Sequence, residues 1–179
     1  MADHIVLVGM MGAGKTTVGR ELASRLGWRF ADSDALVEES TGSTVAEIFA
    51  AEGEDAFRTE ESRVLAESLA DRSPVVVSAA GGAVLDPANR ELLATAGAVV
   101  WLRADPATLA ARVGPGDGRP LLDLDPAGTL IALDAVRRPL YGEVADVIID
   151  VDALEPSMVV DRILAATAFA RSRPAGGRP

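Results

Sequence analysis

Cysteine is absent from the 179-residue chain. That excludes disulfides, thiolate nucleophiles and cysteine metal sites, and it makes the cytoplasm the expected compartment. Histidine occurs once, as His4 just before the first apolar run. It reads as a strand-edge residue, which leaves no histidines for a Ser-His-Asp triad or a multi-histidine metal centre. Lysine also occurs once, against 16 arginines, so Lys15 marks a position that needs a slim ammonium in place of a planar fork. No run approaches the ~20 apolar residues of a membrane helix, and Met1-Ala2-Asp3-His4 carries no basic n-region. We expect neither an export signal nor a membrane partner. Positive charge is scarce overall: the net charge is −10 and the isoelectric point about 4.5. Such a balance argues against nucleic acid as a partner, so any phosphate bound must be held locally.

What is present is apolar and regularly punctuated. Apolar residues make up 49% and mean hydropathy is +0.21, which excludes disorder for the bulk of the chain. The length suits one compact domain, expected over residues 1–170, with 171–179 a disordered basic tail. Short β-branched runs at 5–8, 29–31, 75–79, 98–102 and 147–151 alternate with stretches of helical period at 15–26, 35–39, 45–52, 56–70, 87–95, 106–112, 126–140 and 156–170. That alternation predicts an α/β fold, a parallel sheet covered by helices. Thr44 and Glu47 fit a capping box, and several helices begin with proline. Gly114-Pro115-Gly116-Asp117-Gly118 predicts a flexible surface loop.

The strongest motif is Gly9-Met10-Met11-Gly12-Ala13-Gly14-Lys15-Thr16, which matches the P-loop pattern between an apolar strand and a helix. Its glycines let successive N–H groups converge on phosphate oxygens at a helix N-terminus. Lys15 can reach the β- and γ-phosphates, and the Thr16 hydroxyl can ligate Mg²⁺. We assign nucleotide binding to Gly12, Ala13, Gly14, Lys15, Thr16 and Thr17. Asp32-Ser33-Asp34 follows the second strand, whose carboxyl end faces the same crevice. One of these acids can hold Mg²⁺ through water while the other orients or deprotonates an attacking hydroxyl; two acids before a helix also serve as cap and dipole partners. Val75–Ser78 runs into Ala80-Gly81-Gly82, where small residues allow a ligand close to the backbone. Arg58 and Glu61 share one helical face, so the carboxylate can orient the guanidinium. Arg119-Pro120-Leu121-Leu122 and Arg137-Arg138-Pro139-Leu140-Tyr141 complete the set.

In this order the motifs resemble the shikimate kinase family of small P-loop kinases, over nearly the whole chain to about Ala170. The resemblance implies a three-layer P-loop kinase fold with a five-stranded parallel sheet, a substrate-binding region at about 34–61 and a mobile lid at about 113–125. It implies ATP-dependent phosphorylation of the 3-hydroxyl of shikimate, with Mg²⁺, on the route to chorismate and aromatic amino acids, by an expected monomer. By position, Asp34 resembles the hydroxyl-binding acid and Asp32 the Mg²⁺-linked one. Arg58 and Arg137 resemble the pair that grips the substrate carboxylate, and Gly81 and Gly82 the substrate-contacting glycines. Arg119 resembles the lid arginine that reaches the phosphates and joins Asp34 and Lys15 as a catalytic residue, and Arg112 resembles the adenine-stacking arginine.

Two features depart from the family pattern. Ala80 stands where three glycines are usual; alanine is strained there if φ must be positive, and otherwise merely narrows the γ-phosphate side. The segment near Asp152–Pro156, where a basic adenine contact is common, is acidic. Two rival functions remain: a kinase for another small hydroxylated acid or cyclitol, gluconate-like, and a non-catalytic regulator that binds ATP.

Overall fold

The computed structural model describes residues 4–113 and 125–171, with side chains to 167. The expected lid, Arg119 within it, and the tail beyond 171 lie outside the described residues. Five strands, β1 (His4–Val8), β2 (Arg29–Asp32), β3 (Val75–Ser78), β4 (Gly97–Arg103) and β5 (Val147–Asp150), form one parallel sheet in the order β2-β3-β1-β4-β5. β1 and β3 are buried along their whole length, as a sheet covered on both faces requires of its central strands. His4 opens β1 and is itself buried. The second strand is the least apolar because it lies at the sheet's edge, half-exposed and paired only to β3.

Eight α-helices are described: α1 (Lys15–Leu26), α2 (Ser33–Thr41), α3 (Val45–Ala51), α4 (Glu54–Ala70), α5 (Pro87–Ala96), α6 (Pro106–Val113), α7 (Pro126–Val144) and α8 (Pro156–Arg171). α1 packs against α8, while α5 touches both α4 and α7, and α2 and α3 lean on α4 away from the sheet. No described helix is long and apolar enough to cross a membrane. A 3₁₀ turn at Ala83–Leu85, which sequence periodicity does not reveal, joins the glycine turn to α5.

Helix α7 departs from expectation. Its periodicity predicts an end near Leu140, yet it runs through Pro139 to Val144. Proline inside a helix costs about 3 kcal/mol. The extra turn buries Tyr141 and Val144 almost completely, and a buried valine alone stabilises by about 1.5–3 kcal/mol. Tertiary burial therefore outweighs the local penalty.

The expected capping box is present at the start of α3. The Thr44 Oγ1 accepts from the Glu47 N–H at 3.2 Å, and the Glu47 carboxylate accepts from the Thr44 N–H at 2.7 Å. These bonds hold α3, seven residues long, at the edge of the site. Losing an N-cap of this kind costs about 1 kcal/mol, so Thr44→Ala should lower the thermal midpoint by about 2–4 °C for a chain this size. Differential scanning calorimetry on the two proteins measures it.

Candidate active site

Parallel pairing sets the site. In register, Leu7 of β1 is opposite Ser78 of β3, and Ser78 is opposite Asp32 of β2. The P-loop, the Ala80–Gly82 turn and the two acids therefore leave the sheet side by side, at the carboxyl edge where ligands of open α/β sheets bind. They form the floor of a cleft of about 500 Å³. Val45, Phe49 and Phe57 supply an apolar wall, the two phenyl rings 5.0 Å apart.

In the P-loop, Gly12 and Gly14 have φ of 81° and 90°, a region in which a side chain is strained. The turn they make brings the open N-terminus of α1 to the cleft, with no acidic residue in its first turn. Lys15 Nζ donates to the carbonyls of Gly9 at 2.8 Å and Met10 at 3.1 Å, spanning the loop. Thr16 Oγ1 donates to Asp32 Oδ2 at 2.7 Å. The other oxygen of Asp32 accepts from the Asp34 N–H at 3.2 Å and so caps α2. The cap reading of Asp32 is thus met by one carboxylate oxygen, while the other accepts from Thr16.

Asp34 stands on the cleft wall, open to water at its mouth and hemmed by protein on its other sides. That partial desolvation raises its pKa, Asp32 adds to the rise, and Lys15 and Arg58 oppose it. Opposite, Arg58 Nη1 donates to both carboxylate oxygens of Glu61 at 3.0 Å, and Nη2 donates to Glu54 at 2.8 Å. The Glu61 side chain is 1% exposed. Burial raises its pKa while Arg58 holds it down. A Cβ on Gly82 would overlap the Arg58 guanidinium as it stands, so a side chain there would displace Arg58 from its present position.

Arg137 is only 2% exposed and forms no ion pair among the described residues, and its buried Nε has no hydrogen-bond partner. Burial lowers its pKa, and the neighbouring Arg58 charge lowers it further while Tyr141 opposes the shift. The guanidinium nonetheless lines the cleft. Charge there is arranged asymmetrically: Arg58 is neutralised twice and Arg137 is not.

The sequence-predicted residues converge. Gly12, Gly14, Lys15, Thr16, Thr17, Asp32, Asp34, Arg58, Gly81, Gly82, Arg112 and Arg137 all line the one cleft. Ala13 is the exception among described residues: it is buried beneath the loop, its N–H donating to Met10 O at 3.2 Å. Arg112 is held by the carbonyls of Val151 at 2.7 Å and Asp152 at 3.2 Å, so the acidic β5–α8 connection supplies backbone acceptors for the arginine. Ala80 has no positive φ, which removes the strain alternative for this departure from three glycines.

Sequence reasoning missed the apolar wall and two buried hydroxyls. Val45 and Phe49 are four apart, a helical face that reads equally well as core. Ser33 lies between two acids that drew attention away from it, yet its buried Oγ accepts from the Ala80 N–H at 2.8 Å. Tyr141 donates to the Gly81 carbonyl at 2.6 Å. Its spacing of four from Arg137 was the available signal.

Comparison with known proteins agrees with this geometry. A family model described as shikimate kinase matches residues 11–168. A shikimate kinase of Symbiobacterium thermophilum is 51% identical over 165 residues, covering 90% of this chain and 94% of its own. One from Ruegeria pomeroyi is 48% identical, covering 92% and 84%. Among solved structures, shikimate kinase from Acinetobacter baumannii in complex with shikimate superposes with a TM-score of 0.91 at 39% identity, covering 97% of both chains. A gluconokinase from Sinorhizobium meliloti is more distant, with a TM-score of 0.64 and 26% identity over 96% of this chain and 98% of its own.

The electrostatics predict a titration. Asp34 in the unliganded protein should titrate above its ordinary value of 3.8. The folded form then holds this proton to higher pH than the unfolded chain, so the group's contribution to stability falls as pH rises through the raised pKa. Asp32→Asn removes the nearby like charge and should move the Asp34 midpoint down, whereas Lys15→Met should move it up. Carboxyl carbon chemical shifts against pH measure all three.

Proposed function

The chain belongs to the shikimate kinase family, and from that premise we propose how its cleft divides the work. The activity is ATP-dependent phosphorylation of the shikimate 3-hydroxyl, giving shikimate 3-phosphate and ADP on the route to aromatic amino acids. In-line phosphoryl transfer needs little covalent chemistry from the protein, so positioning and charge neutralisation carry it. The P-loop N–H groups and the start of α1 hold the phosphates, with Lys15 against the β- and γ-oxygens. Asp34 binds the attacking hydroxyl and takes its proton as the new O–P bond forms and the bond from the γ-phosphorus to the β,γ-bridging oxygen breaks, releasing ADP. Arg58 and Arg137 grip the shikimate carboxylate, and Gly81 and Gly82 approach the ring.

Two hard oxygen donors 2.7 Å apart, Thr16 Oγ1 and Asp32 Oδ2, suit Mg²⁺, which takes few protein ligands and keeps waters and nucleotide phosphate oxygens for the rest. Thr16 would hold it directly and Asp32 through water. When bound it supplies charge neutralisation at the phosphates. By resemblance, Arg112 stacks on adenine and Arg119 reaches the phosphates. We take the chain to act as a monomer with one catalytic domain. The lack of cysteine supports a cytoplasmic placement.

The observation that carries the substrate reading is Arg137, a buried cation that makes no direct ion pair among the described residues and shares the nearby Glu61 charge with Arg58. A buried charge needs a partner, and a planar guanidinium fork fits a carboxylate. Shikimate brings one. Arg137→Leu should therefore raise KM for shikimate by roughly 30-fold or more, taking a loss of about 2–4 kcal/mol for a charge-assisted contact. The Kd for ATP should stay nearly unchanged. A coupled ADP-release assay with shikimate and gluconate as acceptors tests both points. Gluconate turnover matching that of shikimate, or an Arg137→Leu protein that loses ATP and keeps shikimate, would overturn the assignment.

A further inference from the structure

Between the two assigned arginines and the P-loop runs the short turn Ala80-Gly81-Gly82. Three residues cannot fix their own peptide planes, since glycine leaves φ and ψ free, and ordering such backbone costs roughly 1–2 kcal/mol per residue. Something outside the turn must hold it. Two side chains do so from opposite sides. Ser33, from the first turn of α2, accepts from the Ala80 N–H at 2.8 Å. Tyr141, from the turn of α7 beyond Pro139, donates to the Gly81 carbonyl at 2.6 Å. Ser33 is 1% exposed and Tyr141 fully buried, and neither lines the cleft.

Their effect follows from peptide geometry. The peptide linking Gly81 to Gly82 is trans, so its N–H points opposite to its C=O. With the Gly81 carbonyl held back against Tyr141, the Gly82 N–H is directed away from that buried hydroxyl. Gly82 lines the cleft beneath the Arg58 guanidinium, and no hydrogen bond among the described residues engages its N–H. The same tyrosine flanks the Arg137 guanidinium, one helical turn earlier on α7, and opposes the lowering of its pKa. Ser33 in turn belongs to the helix that carries Asp34. One turn is thereby referenced to both the acid side and the arginine side of the site.

We propose that Ser33 and Tyr141 are positioning residues that clamp the Ala80–Gly82 turn from opposite sides and set the Gly82 N–H, with Arg137, for the acceptor substrate. The role deepens the shikimate-binding reading above and rests on it. It also gives Ala80 a place: the clamp uses its N–H, which alanine retains, so the methyl leaves the device intact.

Tyr141→Phe keeps the ring and its packing on Trp101, 5.6 Å away, and removes only the hydroxyl. Loss of a neutral hydrogen bond to a part-buried carbonyl should raise KM for shikimate by about 5- to 20-fold. KM for ATP should stay within about twofold. Ser33→Ala should show the same split, and Ser33→Thr, which restores an acceptor hydroxyl, should recover most of the loss. Because the two pins hold one turn, Ser33→Ala/Tyr141→Phe should depart from the product of the single effects. Val144→Ala serves as the comparison: it loosens the same helix end without touching the turn, and should lower the thermal midpoint with both KM values unchanged. Equal rises in both KM values in Tyr141→Phe and Ser33→Ala, or unshifted shikimate KM in both, overturn the clamp. A parent enzyme that turns over MgATP and shikimate in the same assay keeps the kinase reading in either case, and a parent without turnover overturns both.

Discussion

The site depends on the register of three parallel strands. Leu7, Ser78 and Asp32 lie in one line across β1, β3 and β2; β1 and β3 end in loops within a residue or two of that line, and β2 passes directly into α2. A shift of one residue in β2 would exchange the two faces of that strand and carry Asp32 away from Thr16. The 2.7 Å bond between them is therefore a consequence of pairing several residues back. Nothing in the P-loop or the acid motif fixes their mutual distance. The triple-valine strand β3, buried on both faces, is what aligns them.

Charge in the cleft is distributed unevenly between Arg58 and Arg137. Arg58 is held by Glu61 and Glu54, so its guanidinium has a fixed plane before anything binds. Arg137 is buried with its Nε unpartnered, which is costly in an isolated protein. Functional sites commonly retain such local cost while the surrounding structure supplies the stability. Here that surrounding structure is the buried end of α7, the same turn that continues past Pro139.

Much of this was readable from residue order. The P-loop declares itself because its chemistry is local: loop, lysine and hydroxyl lie within eight residues. The Arg58–Glu61 pair was readable for the same reason, lying three apart on one helix. The strands were readable as apolar runs, the edge strand β2 least so because half of it faces water. What stayed hidden is non-local. Ser33 and Ala80 are 47 residues apart, and Tyr141 and Gly81 are 60 apart; no spacing rule links a buried hydroxyl to a distant peptide group. The end of α7 was misplaced for a related reason. Proline is a local signal, and the burial that overrides it is tertiary.

The solitary lysine has a consequence for how the molecule can be handled. Ordinary proteins scatter ε-amino groups over their surface, so amine-directed reagents decorate them at random. Here the one ε-amino group sits in the P-loop between the carbonyls of Gly9 and Met10, while the outer surface carries its positive charge as guanidinium. Apart from the chain's α-amine, an acylating label has a single address. Conjugation chemistry that merely tags other proteins becomes, for this one, a stoichiometric report on whether the cleft around Lys15 is open.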